Sequence, residues 1–216
     1  MLADVPPDDV ARVLSIARRR TFARGEILFH EDDPADALHV IQKGRVAIRT
    51  RTPVGDDALI AILGRGEAVG ELALVSSGRR SATAYALEAT ETLCVIRDEF
   101  NRLRSRHGGV DRMLIGILTR ELTRMNRLLT EAYYVSAEKR IRRRLLDLIE
   151  VYGESNGETV VPLTQEQLAS LAGTSRATVN AVLAAERERG AVELRRGVPV
   201  IRDARGLALR AGVRGP

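Results

Sequence analysis

The chain has little of what several function classes require. Among its 216 residues there is one cysteine, Cys94, no tryptophan and only seven aromatic side chains; two lysines, Lys43 and Lys139, stand beside 32 arginines. A single thiol closes no internal disulfide and supplies neither an iron–sulfur cluster nor a cysteine-rich zinc site. So few rings argue against a surface that stacks successive unpaired bases, which leaves duplex DNA as the favoured nucleic-acid partner. Long apolar runs are missing as well. Stretches such as Ala58–Leu63 fall far short of the ~18 residues of a membrane-spanning helix, and Met1–Val10 is acidic rather than basic and then apolar. Neither membrane insertion nor secretion is expected, and a reducing cytoplasm is the natural compartment.

What remains is a globular profile, 44% apolar and 29% charged, with a net charge of +5. Residues 1–136 hold 20 cations and 19 anions, whereas residues 137–216 hold 14 and 10, so the basic excess lies in the C-terminal third. Arginine presents a flat, permanently charged fork that suits phosphate and guanine, although its abundance is equally compatible with base composition of the genome.

From about Thr21 to Ile96 short β-like segments alternate with Gly, Pro and Asp: Glu26–Phe29, Ala37–Gln42, Gly44–Thr50, Ala58–Leu63, Ser81–Ala86 and Glu91–Ile96. Strands at this spacing predict a β-barrel or sandwich. Asp8–Ala17 reads as a short helix before it, and Lys43-Gly44 inside Val40–Arg49 reads as a hairpin turn. A long helix is expected over Val110–Tyr134, free of proline and with one internal glycine, Gly116. Ile115, Leu118, Leu122, Met125, Leu129 and Ala132 follow at alternating steps of three and four, the spacing of a coiled-coil seam, and predict a homodimer. Val110, Leu114, Ile117 and Leu128 form a second apolar face, expected to pack on the barrel.

The C-terminal part carries the signals of a DNA reader. Thr164-Gln165-Glu166-Gln167 has the form of a capping box, so a helix is expected from about Gln165 to Ala172. Gly173 would supply a left-handed turn, Ser175 would cap a second helix over Arg176–Arg189, and Gly190 would end it. Leu168, Ala169, Leu171, Val179, Val182 and Leu183 would pack the pair. In a helix-turn-helix the second helix aims its first residues into the major groove, which gives Arg176, Thr178 and Asn180 reach and makes Arg176 the candidate for guanine. Thr164, Ser175 and Thr178 can donate to phosphates. Ala191–Leu194 and Val198–Arg202 would form a wing with Arg195 and Arg196 near its tip.

In the barrel the informative stretch is Gly70-Glu71-Leu72-Ala73-Leu74, followed by Arg79-Arg80-Ser81-Ala82-Thr83. A glycine admits a ligand close to the backbone, a short helix from Glu71 would turn amides toward an anion, and an arginine beside a hydroxyl can clamp the same phosphate. A carboxylate there needs a donor, and a sugar hydroxyl provides one. The set describes a nucleotide with one anionic phosphate and a free ribose hydroxyl.

Gly70-Glu71-Leu72-Ala73 with Arg80-Ser81-Ala82-Thr83 resembles the phosphate-binding cassette of cyclic-nucleotide-binding domains. Together with the long helix and Thr164–Leu183, the chain resembles the catabolite activator and fumarate-nitrate regulator superfamily of bacterial transcription factors over about Thr21–Asp203. The resemblance implies an α+β fold: a jelly-roll-like cyclic-nucleotide-binding β-roll over residues 1–108, a dimerisation helix over 109–136 and a winged helix-turn-helix over 137–216. It implies that Glu71 holds the ribose 2′-OH, Arg80 and Ser81 the cyclic phosphate, and Gly70 and Leu72 the backbone of the pocket. Cyclic AMP is the implied allosteric ligand, with cyclic GMP second, and palindromic double-stranded DNA and RNA polymerase are the implied partners. Ligand between the cassette and the long helix would change how two long helices meet and set the DNA-reading pair one helical turn, ~34–36 Å, apart.

Two departures from the family pattern bear on specificity. Met125 and Asn126 stand where the family's cyclic AMP receptors carry a threonine and then a serine facing adenine; Met125 offers no strong hydrogen bond, while Asn126 can donate one. On the recognition helix Arg176 matches a guanine-reading arginine, but Ala177 and Ala181 replace a glutamate and a second arginine, so an altered operator is expected. His30, His39 and His107 form no haem-ligand pair and read as surface or strand-end residues. No nucleophile–base pairing, metal motif or Walker-type loop points to an enzyme. A regulator active without nucleotide or with another effector, and a cyclic-nucleotide module that controls a partner protein, remain as alternatives. Ala204–Pro216 is expected to be a mobile basic tail.

Overall fold

A computed structural model describes residues 7–52, 55–75, 78–107 and 109–213, and the chain divides into two compact units, Met1–Asn126 and Arg127–Pro216. The boundary falls inside one long helix.

The first unit opens with α1 (Pro7–Ser15) and then alternates strands between two antiparallel four-stranded sheets. One sheet has the order β1-β8-β3-β6, from Arg18–Phe22, Thr90–Ile96, Ala37–Lys43 and Ala68–Val69; the other has the order β2-β7-β4-β5, from Ile27–Phe29, Thr83–Ala86, Val46–Arg51 and Asp57–Leu63. A single 3-10 turn, Glu71–Leu74, follows β6. The unit closes with α2 (Arg97–Arg104) and the first part of α3 (Gly109–Tyr134). The expected segments are present within one to three residues at each end. β1, β6 and α2 were not expected: β1 is arginine-rich, β6 has two residues, and the mean hydropathy of α2 is low, so none carries a strong periodic signal.

The hairpin expected at Lys43-Gly44 is not one. β3 pairs with β8 and β6 while β4 pairs with β5 and β7, so Gly44 is a corner where the chain changes sheets. Its φ of 82° and the 2.5 Å that would separate an added Cβ from Thr90 Oγ1 explain the glycine, which the corner requires as much as a turn would.

Among the described residues, two clusters of buried side chains hold this unit. Val13, Leu38, Val95 and Phe100 meet Val110, Met113, Leu114 and Ile117, so α3 docks on the β-roll through the second apolar face anticipated for it, while Leu128 is half-buried in the other unit. Ile41, Val46, Ile48, Val69, Ala82 and Ala84 fill the second core. His39 is neither at the surface nor at a strand end, a correction to its expected place. It is buried within β3, its Nδ1 lies 3.0 Å from Thr92 Oγ1, and burial, reinforced by the Arg80 and Arg20 charges, lowers its pKa to about 4. His30 and His107 are exposed.

The second unit contains the rest of α3, α4 (Ala137–Tyr152), α5 (Gln165–Ala172), α6 (Arg176–Glu188), α7 (Ala204–Ala211) and a small sheet of order β10-β11-β9, from Val192–Arg195, Val198–Ile201 and Thr159–Val160. The helix α4 was not expected, although Ile141, Leu145 and Leu148, at steps of four and three, are its buried stripe. The mobile tail is corrected too. Asp203 caps α7 by accepting from the Gly206 amide at 2.8 Å, and Leu207, Ala208 and Ala211 are buried against the rest of the unit; residues 214–216 lie outside the described residues. Leu207, Ala208 and Ala211, interspersed with Arg205 and Arg210, look like a tail in sequence because the surface they bury against is formed by the remote α4. No helix among the described residues is long and apolar enough to cross a membrane.

Candidate nucleotide pocket and DNA-reading surface

Gly70 takes φ 81° and starts the 3-10 turn. A Cβ there would fall 2.3 Å from Arg80 Nη1 and 3.2 Å from the Ala37 carbonyl, so the glycine makes room for the arginine as well as for a ligand. Arg80 is buried. Its Nη1 donates to Ala37 O at 2.7 Å, Nη2 lies 3.3 Å from Asp36 Oδ1, and the guanidinium carbon sits 4.0 Å over the Phe29 ring. Nε is buried with no hydrogen-bond partner, and burial lowers the pKa of the group while Asp36 opposes the shift. A buried cation that is not fully paired is costly, and an incoming anion would relieve that cost.

A cavity of about 300 Å³ opens beside it, and Gly70, Glu71, Leu72, Arg80, Ser81 and Met125 all line it. Ser81 and Leu72 are exposed at its mouth, and burial raises the Glu71 carboxyl above its ordinary range. Asn126 does not line this cavity, so the structure does not bring the second adenine-facing candidate to it. Apolar side chains of β4 and β5, including Ile48, Ile60 and Leu63, form one wall. Sequence reasoning missed two charged groups on α3 that reach the same space. Arg124 Nε and Nη2 donate to the two carboxylate oxygens of Glu121 at 3.0 and 2.7 Å, and this bond raises the Arg124 pKa. In sequence the pair is an ordinary i,i+3 contact; only the fold turns it toward a cavity lined by residues some fifty positions earlier. No group of His, Cys, Asp and Glu among the described residues could hold a metal ion.

The second unit has the helix-turn-helix geometry. Thr164 Oγ1 accepts from the Gln167 amide at 3.1 Å and Gln167 Oε1 accepts from the Thr164 amide at 2.9 Å, a complete capping box. Gly173 is left-handed at φ 59°, and Ser175 Oγ caps α6 by accepting from the Thr178 amide at 3.1 Å. Leu168, Ala169, Val179, Val182 and Leu183 are buried and Leu171 is half-buried. Arg176 and Asn180 are exposed one turn apart on α6, flanked by the equally exposed Ala177 and Ala181; Thr178 is half-buried, its hydroxyl 2.9 Å from that of Ser175. The two wing arginines differ. Arg195 is held by Glu158 at 2.8 Å and Glu193 at 3.1 Å in a network that also takes in Arg202, whereas Arg196 is exposed at the tip of the β10–β11 turn with φ 51°.

A β-roll with a cavity of about 300 Å³ beside a buried arginine, on the same chain as a winged helix-turn-helix, defines the class of ligand-binding DNA-binding proteins. Comparison with known proteins gives the class its family. Residues 19–107 match the cyclic nucleotide-binding domain and residues 139–210 the Crp-like helix-turn-helix domain. The chain is 31% identical to a "CRP-like cAMP-activated global transcriptional regulator" of Mycobacterium tuberculosis over 96% of its own length and 94% of that protein's. It is 34% identical to the "Cyclic AMP receptor protein" of Thermus thermophilus over 92% and 90%. The solved structure of FixK2 from Bradyrhizobium japonicum superposes with a TM-score of 0.78 at 19% identity, covering 90% of this chain and 96% of that one, and shares the fold. The chain belongs to the Crp/Fnr family of bacterial transcription regulators.

Proposed function

We propose that the protein is a homodimeric transcription regulator whose affinity for palindromic duplex DNA is set by a cyclic nucleotide, cyclic AMP before cyclic GMP. The observation that carries this reading is the buried Arg80, with an unpartnered Nε, among the residues that line a cavity together with Glu71 and Ser81. Arg80 and Ser81 take the cyclic phosphate, Glu71 accepts from the ribose 2′-OH, and Gly70 and Leu72 contribute backbone. The base then faces the β4–β5 wall and α3, where Met125 packs and the Glu121–Arg124 pair presents an acceptor beside a donor, the pattern that an adenine edge complements. Asn126 remains a candidate for base readout outside the cavity of its own chain.

The dimer seam is supported by exposure. Ile115 (62%), Leu122 (61%), Met125 (56%) and Leu129 (56%) are apolar and solvent-facing on one stripe of α3, with Ala132 exposed beyond them; Leu118 is the exception, half-buried against the core of its own unit. Such a stripe is costly in water and a second copy covers it. Because Met125 lies on both the seam and the cavity, ligand and dimer geometry share a side chain. Leu122→Glu is expected to convert the dimer to a monomer in light scattering at micromolar concentration; an unchanged mass would rule the seam out.

Arg176, Thr178 and Asn180 would enter the major groove, with Thr164, Ser175, Arg195 and Arg196 on phosphates, although Arg195 must first leave Glu158 and Glu193. RNA polymerase is the further partner that this reading implies. Titration calorimetry with cyclic AMP and cyclic GMP, followed by duplex binding with and without each, tests the whole reading. Saturable nucleotide binding that tightens DNA binding supports it, and DNA affinity indifferent to both nucleotides would refute it. Arg176→Ala is expected to weaken discrimination at a single G·C position by about 1–3 kcal/mol, read as a flattened response to base changes there in fluorescence anisotropy.

A further inference from the structure

Arg140, in the first turn of α4, gives its whole guanidinium to main-chain carbonyls. Nη1 donates to Val135 at 2.8 Å, Nε to Ala172 at 2.9 Å and Nη2 to Gly173 at 2.9 Å. Val135 is the first residue past the end of α3; Ala172 ends α5, and Gly173 is the left-handed residue of the turn that aims α6. One planar group therefore ties the exit of the long helix to the turn of the helix-turn-helix.

The end of α3 is fastened to α4 as well. Glu131 is buried, pairing with Arg144 and, at 3.2 Å, with Arg143; Arg127 reaches Asp147 at 3.0 Å, and Arg144 meets the same carboxylate at 2.7 Å. The Glu131–Arg144 pair is buried and costly to break, so the last turns of α3 are fastened to the middle of α4. From α4, Arg140 reaches the α5–α6 turn with two directed bonds and the α3 exit with a third. Two of them satisfy carbonyls at the C-terminus of α5, where a cation is favourable in any helix. The third, to Val135, satisfies a carbonyl at the C-terminus of α3, so one guanidinium caps the ends of two helices and fixes the distance between them.

Resting on the functional reading above, we infer that Arg140 is a positioning residue that couples the end of α3 to the α5–α6 turn, so that a nucleotide-driven change in the long helix reaches the recognition helix through it. A lysine keeps the charge but offers a compact ammonium in place of the fork and cannot hold three carbonyls in a fixed plane.

The test uses the full chain, unmodified and as Arg140→Lys, with Arg140→Gln as a second variant that keeps one amide donor. Calorimetry measures cyclic AMP affinity, anisotropy measures duplex affinity with and without cyclic AMP, and thermal unfolding establishes that each variant is folded. The expected result is cyclic AMP affinity within about twofold of the unmodified chain, and a ratio of liganded to unliganded DNA affinity reduced by roughly tenfold, the loss of one bond from a charged donor. A residue that merely caps α5 would lower both DNA affinities by the same factor and leave the ratio intact, which would overturn the coupling. A ratio of one in the unmodified chain would instead overturn the functional reading, and the coupling with it.

Discussion

Arg80→Ala is expected to weaken cyclic nucleotide binding by at least about tenfold. The side chain is 4% exposed, yet the Asp36 carboxylate 3.3 Å away is 74% exposed, so most of the compensating charge sits in water. A cyclic phosphate in the cavity would supply a fuller counter-charge, through charge-assisted bonds worth roughly 1.5–3 kcal/mol each, where 1.4 kcal/mol is a factor of ten. Alanine removes those bonds and also leaves a void under the Phe29 ring, so affinity and stability must be read separately. Calorimetry with cyclic AMP gives the first and thermal unfolding the second. Arg80→Lys separates charge from shape: it is expected to recover part of the affinity, because a point charge is restored without the fork. Affinity unchanged in the alanine variant would remove Arg80 from the phosphate site.

The largest effect on stability is expected from Glu186. Its carboxylate is buried, 2.8 Å from Arg142 Nε and 2.9 Å from Arg210 Nε, and so joins α6 to α4 and α7. Burial alone would raise its pKa, but the bonds from Arg210 and Arg142 outweigh burial and hold it below the ordinary glutamate range. Glu186→Ala would leave Arg142, Arg210 and the half-exposed Arg189 without their shared counter-ion, a loss of about 3 kcal/mol, the low end for a buried pair because Arg210 and Arg189 reach solvent. For a unit of this size that corresponds to a fall in Tm on the order of 15 °C, and calorimetric scanning should place it in the transition of the second unit, with the first unaffected. The sign of the pH dependence follows. A carboxyl whose folded pKa is depressed contributes its stability above the unfolded pKa and loses it as pH falls through the folded one, so the second unit should destabilise on acidification and the Glu186→Ala variant should show less of that slope. A Tm within a few degrees of the unmodified chain would show that the cluster is not what holds these helices together.

How much was legible depended on how local the determining physics is. The capping box at Thr164, the cap at Ser175 and the left-handed Gly173 each depend on residues within a few positions of one another, and all three are legible in the sequence. The cassette could be read because Gly70, Glu71, Arg80 and Ser81 have separate chemical reasons to be together. By contrast, Glu121 and Arg124 look like a solvated helix pair, and nothing local says that they line a cavity. Asn126 has the right chemistry for a base and is not among the residues lining that cavity, a fact of helix phase relative to packing. Arg195 and Arg196 are neighbours of the same type, yet one is engaged by Glu158 from outside the wing and the other is exposed at the tip.

The sequence by itself determined the class of fold, the positions of the helix-turn-helix caps, the seam periodicity of α3 and the residue types of a phosphate pocket, because each rests on spacing or on the intrinsic conformational freedom of a residue. Only the tertiary structure decided that Lys43-Gly44 turns between sheets, that α7 is a docked helix and that Glu121 and Arg124 face the pocket. It likewise decided that Arg140 joins three carbonyls of two distant segments. In each of these the partner is remote along the chain, and a side chain's role is fixed by what stands opposite it.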